Sequence, residues 1–165
     1  MTRLQKGFSL IELLIVVAII LIIAAIAIPN LLRAREAANE SSAVASIRTI
    51  NTAEITYSSA YPAVGFAANL AVLGGAAPCT PTSTTACLID SVLSGGKKSG
   101  YSFTEAPGTV ATPQTTYYAT AVPITLNQTG TRSFCSFEDA VVRVQPTGAG
   151  IASEAACQSL GPLSQ

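Results

Sequence analysis

The chain has 165 residues, with nine basic and nine acidic side chains and no histidine. A balanced charge offers no excess for gripping nucleic acid, and a chain without histidine can form neither a Ser–His nor a Cys–His pair, so an enzyme of those classes is excluded. Charged residues are only 11%, against roughly a quarter in ordinary soluble proteins, which suits a surface covered by neighbours, and equally a secreted or glycosylated one.

Residues 1–7 carry Arg3 and Lys6 and end at Gly7. Phe8 to Leu32 follows, and Leu13 to Ile28 within it contains only Leu, Ile, Val and Ala. As a helix, Phe8–Leu32 would rise roughly 37 Å at about 1.5 Å per residue, enough to cross a hydrocarbon core of about 30 Å. Glu12 breaks the pattern. An acidic residue at the centre of a bilayer costs about 2.5–3.5 kcal/mol, and such a residue marks a functional site. A cut between Gly7 and Phe8 would create an amine four residues before Glu12. Within one straight helix the two groups do not comfortably meet, but between two axially offset copies they can. A buried ion pair of that kind sets register better than it adds stability. The positive residues before the apolar run place the N-terminus in the cytoplasm and the remainder outside.

Lys6-Gly7-Phe8-Ser9-Leu10-Ile11-Glu12-Leu13 resembles the processing and assembly motif of type IV prepilins, a family that includes the pseudopilins of type II secretion, and Pro29 inside the helical run matches its pattern. The strong resemblance covers about the first thirty-five residues. It implies that Gly7 precedes the prepilin peptidase cut, that the same enzyme N-methylates Phe8, and that Glu12 is the assembly carboxylate. It further implies a single-pass precursor in the bacterial inner membrane. An assembly platform with its ATPase would then extrude it into a helical filament by self-association. A secretory signal peptide ending at Ala25-Ile26-Ala27 explains neither Glu12 nor the Gly-Phe junction. A plain anchor leaves Glu12 unexplained. Leader removal leaves seven basic against nine acidic side chains.

Beyond the apolar run, Pro29 predicts a kink or local loosening, and Arg33 and Arg35 mark the exit from the apolar zone. Residues 34–61 read as an amphipathic continuation, with Ala43, Ile47, Ile50, Tyr57 and Tyr61 on one face. Glu54 lies on or near that stripe, either at its edge with its head in water or accepting hydrogen bonds from the globular part. Glu36, Glu40 and Arg48 are expected elsewhere on the surface. Pro62 ends the helix. Residues 62–99 form a variable region, with helical turns expected near Phe66–Leu73 and Leu88–Leu93, and Gly95-Gly96-Lys97-Lys98 as a solvated turn. Residues 100–145 predict an antiparallel meander of three or four strands: Tyr101–Thr104, Thr116–Ile124, Ser133–Phe137 and Ala140–Val144. Phe103, Val122, Phe134 and Val142 are expected on its buried face. Residues 146–165 form an irregular tail. The expected fold is therefore α+β, with leader 1–7, filament-core helix 8–33, amphipathic helix 34–61 and globular head 62–165.

Cys79, Cys87, Cys135 and Cys157 would lie in an oxidising compartment, where an even count reads as disulfides. Sequence does not choose among three pairings. Pairing of sequence neighbours is the expectation taken, and it would close the tail onto the body as the C-terminal disulfide loop does in the family resembled. Zinc is disfavoured by the absence of histidine and of any Cys-x-x-Cys. No cofactor is expected. Calcium at Glu138-Asp139 is considered because major pseudopilins bind it in a C-terminal loop, but two carboxylates are few for about six to eight oxygens. Asn39-Glu40-Ser41 and Asn127-Gln128-Thr129 match the short N-glycosylation pattern. A type IV pilus subunit is the first reading. A secretion pseudopilin and a membrane-anchored binding module that does not polymerise are the alternatives.

Overall fold

The computed structural model describes residues 8–108 and 111–164. Helix α1 spans Leu10–Ala60 and contains Pro29. The chain divides into two units, Met1–Arg35 and Glu36–Gln165, and the second is the globular head.

The head holds three short helices, α2 (Leu70–Leu73), α3 (Ser91–Ser94) and α4 (Glu154–Gln158), and five strands. The strands are β1 (Lys97–Lys98), β2 (Tyr101–Pro107), β3 (Tyr117–Pro123), β4 (Ser133–Phe137) and β5 (Arg143–Gln145), paired antiparallel in chain order. The sheet thus has one strand more than the upper expectation. Lys97-Lys98, expected as a solvated turn, forms the extra edge strand against Ser102 and Tyr101. Lys98 pairs with Asp90 at 2.9 Å, and charged lysines on a two-residue edge discourage further strand pairing. The last strand starts at Arg143 rather than Ala140, because Ala140 adopts φ 58°, a left-handed turn conformation after Phe137.

Each short helix begins with a polar cap. The Asn69 side chain accepts from the Ala71 and Val72 N–H groups, Asp90 from those of Val92 and Leu93, and Ser153 from that of Ala156. These acceptors satisfy N–H groups that a helix start leaves unpaired. The two expected turns are therefore shorter, starting at Leu70 and Ser91, where the caps fix them.

The main core lies between one face of the sheet and the 43–57 stretch of α1. It joins Ala43, Ile47, Ile50, Ala53 and Tyr57 to Tyr101, Phe103, Ala119, Ala121 and Phe134. Tyr61 packs at its margin, its ring 5.0 Å from that of Tyr57. Phe134 opposes Ala121, and Phe103 opposes Ala121 from the other side, so two phenylalanines close over one alanine. Val122 is not on this face and is only half-buried. Strand alternation assigns Tyr117, Ala119 and Ala121 to the core face and puts Val122 on the opposite one.

The second face of the sheet is covered too. Cys135, Phe137, Ile151 and Cys157 form a smaller cluster with Tyr118 and Leu160. Cys135 is bonded to Cys157, and Cys79 to Cys87. This double covering explains why all five residues of β4 are buried.

Polar groups also lock α1 to the head. Asn51 Nδ2 donates to Ser136 Oγ at 2.9 Å and to the Ala140 carbonyl at 3.3 Å, while its Oδ1 accepts from the Tyr117 hydroxyl at 3.1 Å. Glu40, expected on the surface, is buried. Its Oε1 accepts from the Thr131 and Arg132 N–H groups and the Thr131 hydroxyl, and its Oε2 accepts from Arg132 Nε and Nη2. Burial alone would raise its pKa, but the bonds from Arg132 and Thr131 together outweigh it and hold the carboxyl below its ordinary value. A depressed carboxylate stabilises the folded form above the unfolded pKa and loses that stabilisation as pH falls through the folded value. Glu40→Ala should destabilise the head by about 2 kcal/mol, the scale of hydrogen bonds to a charged group. Urea unfolding of both proteins at neutral pH, repeated near pH 3, should show the difference shrinking in acid.

Candidate functional site

The candidate site is the start of α1 and the apolar surface after it. Leu10 is the first helical residue, which makes Ser9 the residue before the helix. The Glu12 Oε2 accepts from the Ser9 N–H at 3.0 Å, and the Leu13 N–H donates to the Ser9 carbonyl at 3.2 Å. Ser9-Leu10-Ile11-Glu12 is thus the reciprocal half of a capping box, in which the third helical residue reaches back to the cap. Its carboxylate also sits at the positive end of the helix dipole. Sequence reasoning singled out Glu12 as an intruder in an apolar run and overlooked this local role. The Ser-x-x-Glu spacing ahead of apolar residues was the available signal.

The surface that follows is left exposed by the described residues. Phe8 is 80% exposed, and every Leu, Ile and Val from Leu10 to Leu32 is exposed as well. α1 is long and apolar enough there to cross a membrane, and none of its most apolar stretch is buried. Burial of each such side chain is worth about 1.5–3 kcal/mol, so water is a poor surrounding for this segment. Lipid tails or other apolar helices satisfy it. Pro29 lies inside α1 between exposed neighbours. Gly7 lies outside the described residues, as does the rest of the expected leader, residues 1–7.

The remaining singled-out residues belong to the head. Cys79 and Cys87 staple the Thr-rich loop between α2 and α3, and Cys135–Cys157 ties α4 to β4. Asp139, weighed above for calcium, is engaged by Arg143, with Nη1 at 3.1 Å and Nη2 at 2.7 Å, and by the Val141 N–H at 2.9 Å. Among the described residues no group of three or more Cys, Asp or Glu side chains converges as metal ligands would. Asn39 spends its side-chain N–H on the Thr129 carbonyl at 2.9 Å.

Glu54 resolves in favour of the second expectation. It is fully buried, and its Oε2 accepts from the Ala67 N–H at 2.9 Å. Strand β2 sends a second carboxyl, Glu105, to the same place. Sequence reasoning did not find Glu105; its only signal was the two-residue alternation that puts it on the face of Tyr101 and Phe103.

Comparison with known proteins points to the same end of the chain. Residues 2–28 match the model for the prokaryotic N-terminal methylation motif. The type IV wide pilus major component PilA4 of Thermus thermophilus is 67% identical over 39 residues, covering 24% of this chain and 30% of that protein. The type IV major pilin protein PilA of Myxococcus xanthus is 46% identical over 53 residues, covering 32% of this chain and 24% of that protein. The matches therefore span about a quarter to a third of these relatives. No solved structure matches the chain significantly. With the methylation motif at its start and a long helix packed on an antiparallel sheet, this chain is similar to type IV pilins, and the sequence likeness lies in its N-terminal segment.

Proposed function

We propose that this chain is a structural subunit of a type IV pilus. A prepilin peptidase cuts between Gly7 and Phe8 and methylates the new Phe8 amine. The precursor waits in the bacterial inner membrane with its N-terminus in the cytoplasm. An inner-membrane platform driven by an ATPase then moves it into a helical surface filament. The observation that carries this reading is the uncovered apolar stretch of α1, headed by a carboxylate that no cation among the described residues neutralises.

The chemistry follows from that arrangement. In the membrane, lipid covers Leu13–Ile28 and the Ser9 N–H supports Glu12. In the filament, neighbouring helices replace the lipid. Oε2 keeps its bond to Ser9, and Oε1 is left for a neighbour's Phe8 amine. Apolar contact supplies the association, and the ion pair fixes the axial offset, since any other stagger leaves two charges in an oily surrounding without partners. The named relatives are pilus components, which favours a pilus over a secretion pseudopilus or a membrane-anchored binding module.

Mass spectrometry of the mature N-terminus tests the processing step. The expected species begins at N-methylated Phe8. A chain beginning at Met1 or at Ile28 would overturn the reading in favour of an anchor or a signal peptide. Gly7→Trp should abolish cleavage, leaving at least about 90% of the chain as membrane-bound precursor on an immunoblot.

A further inference from the structure

Helix α1 and strand β2 each send one carboxyl group into the interior of the head. Glu54 is fully buried and Glu105 is 7% exposed. Glu54 Oε2 has the Ala67 N–H, but Glu54 Oε1 and both oxygens of Glu105 have no donor among the described residues. The Glu105 carboxyl lies within reach of that of Glu54 in the same buried place. As ions they would oppose acceptor to acceptor, with like charges repelling in a poorly polarisable surrounding. One proton between them converts the contact into an O–H···O bond to a charged acceptor, a short and strong kind.

Among the described residues the neighbourhood supplies no other neutraliser. From α1 the nearby ionisable group is Tyr57, and from β3 it is Tyr117, whose hydroxyl is spent on Asn51. The groups acting on Tyr117 are the carboxyls of Glu54, Glu105, Glu138 and Asp139, with no cation among them. The segment before α2 contributes the Ala67 N–H and the Phe66 ring, 4.8 Å from that of Tyr117. Among the described residues no lysine or arginine acts on Glu105. Two carboxylates also fall far short of the oxygen shell that calcium takes.

We propose that Glu54 and Glu105 share a single proton at neutral pH, and that this proton braces α1 against β2, so that its loss loosens the head. Burial first, and then the bond to and charge of Glu54, push the Glu105 carboxyl well above its ordinary range. The unfolded chain gives up that proton near the usual value of about 4.3, and the folded chain only at higher pH. Within that window the folded form binds more protons, so stability falls as pH rises. It is fully present below the ordinary carboxyl range and is gone above the raised folded value.

The test uses the full chain in detergent micelles. Between about pH 5 and pH 9 the melting temperature of the natural protein should fall by roughly 4 °C or more. An infrared carbonyl band of a protonated carboxyl should persist at pH 7 and remain in Glu12→Ala. Glu105→Gln keeps a donor toward Glu54, so it should fold, lack the band and lose most of the pH slope. Should it fail to fold, Glu54→Gln decides, because removing the facing charge should at least halve the slope. A flat melting profile in the natural protein, no protonated band at pH 7, or an unchanged slope in the variant that folds would each overturn the proposal. So would a rise in melting temperature on adding calcium at pH 9 that Glu105→Gln abolishes, since a metal ion would then be the neutraliser.

Discussion

Glu12→Ala chains are expected to be cleaved and methylated normally while yielding few or no filaments. Removing one partner of a buried ion pair leaves the other charge unpaired, at a cost of about 3–5 kcal/mol. The lower figure alone corresponds to roughly 100-fold in the equilibrium for adding a subunit. The alanine also deletes the acceptor for the Ser9 N–H, worth about 1 kcal/mol at a helix start. Glu12→Gln separates the two effects. Its amide oxygen still serves Ser9, but it brings no charge to a neighbour's amine. Filament mass in the sheared fraction, measured against total processed subunit, reads both variants. Normal filaments from Glu12→Gln would mean that the carboxylate serves only its own helix and that the charge pairing is wrong.

Replacing both Cys135 and Cys157 by alanine should destabilise the head by about 3 kcal/mol, the scale for a loop of this length. The bridge spans 22 residues, and both sulfurs are buried. It pins α4 and its neighbours over the second face of the sheet, where Phe137 and Ile151 meet. Without it, that covering must be held by a small cluster alone. The same double replacement at Cys79 and Cys87 should do less. That bridge closes only 8 residues of a largely exposed loop, and the loop still pairs Thr82 with Thr85 and gives the Ser83 carbonyl to the Tyr57 hydroxyl. Urea unfolding of full chains in micelles, followed by circular dichroism, orders the two. Equal losses, or a larger loss at Cys79–Cys87, would contradict this account of the second layer.

Much of the architecture was readable because strong local signals agreed with one another. The length of the apolar run, the helical spacing of the stripe from Ala43 to Tyr57 and the β-branched and aromatic residue types near Tyr117 each fit one element. What escaped reading depends on long-range partners. Nothing near Glu40 in sequence indicates that Arg132 and Thr131, some ninety residues on, will enclose it. Glu105 looks like an ordinary polar position in a strand until α1 brings Glu54 to it. Val122 was misplaced by one step of alternation, since Tyr117-Tyr118-Ala119-Thr120-Ala121-Val122 is buried almost throughout and gives no clear phase. The head of α1 shows the opposite failure. Its capping box was local and legible, but the cost of a charge in an apolar run drew attention away from it.

The most direct measurement is a density map of filaments sheared from cells that make this chain, resolved well enough to place side chains at the helix starts. The account predicts that this polypeptide, starting at methylated Phe8, builds the fibre. Each Glu12 oxygen not held by its own Ser9 should lie within about 4 Å of the Phe8 nitrogen of an adjoining subunit. Fibres made of another polypeptide, or Glu12 facing apolar side chains with no cation beside it, would contradict it.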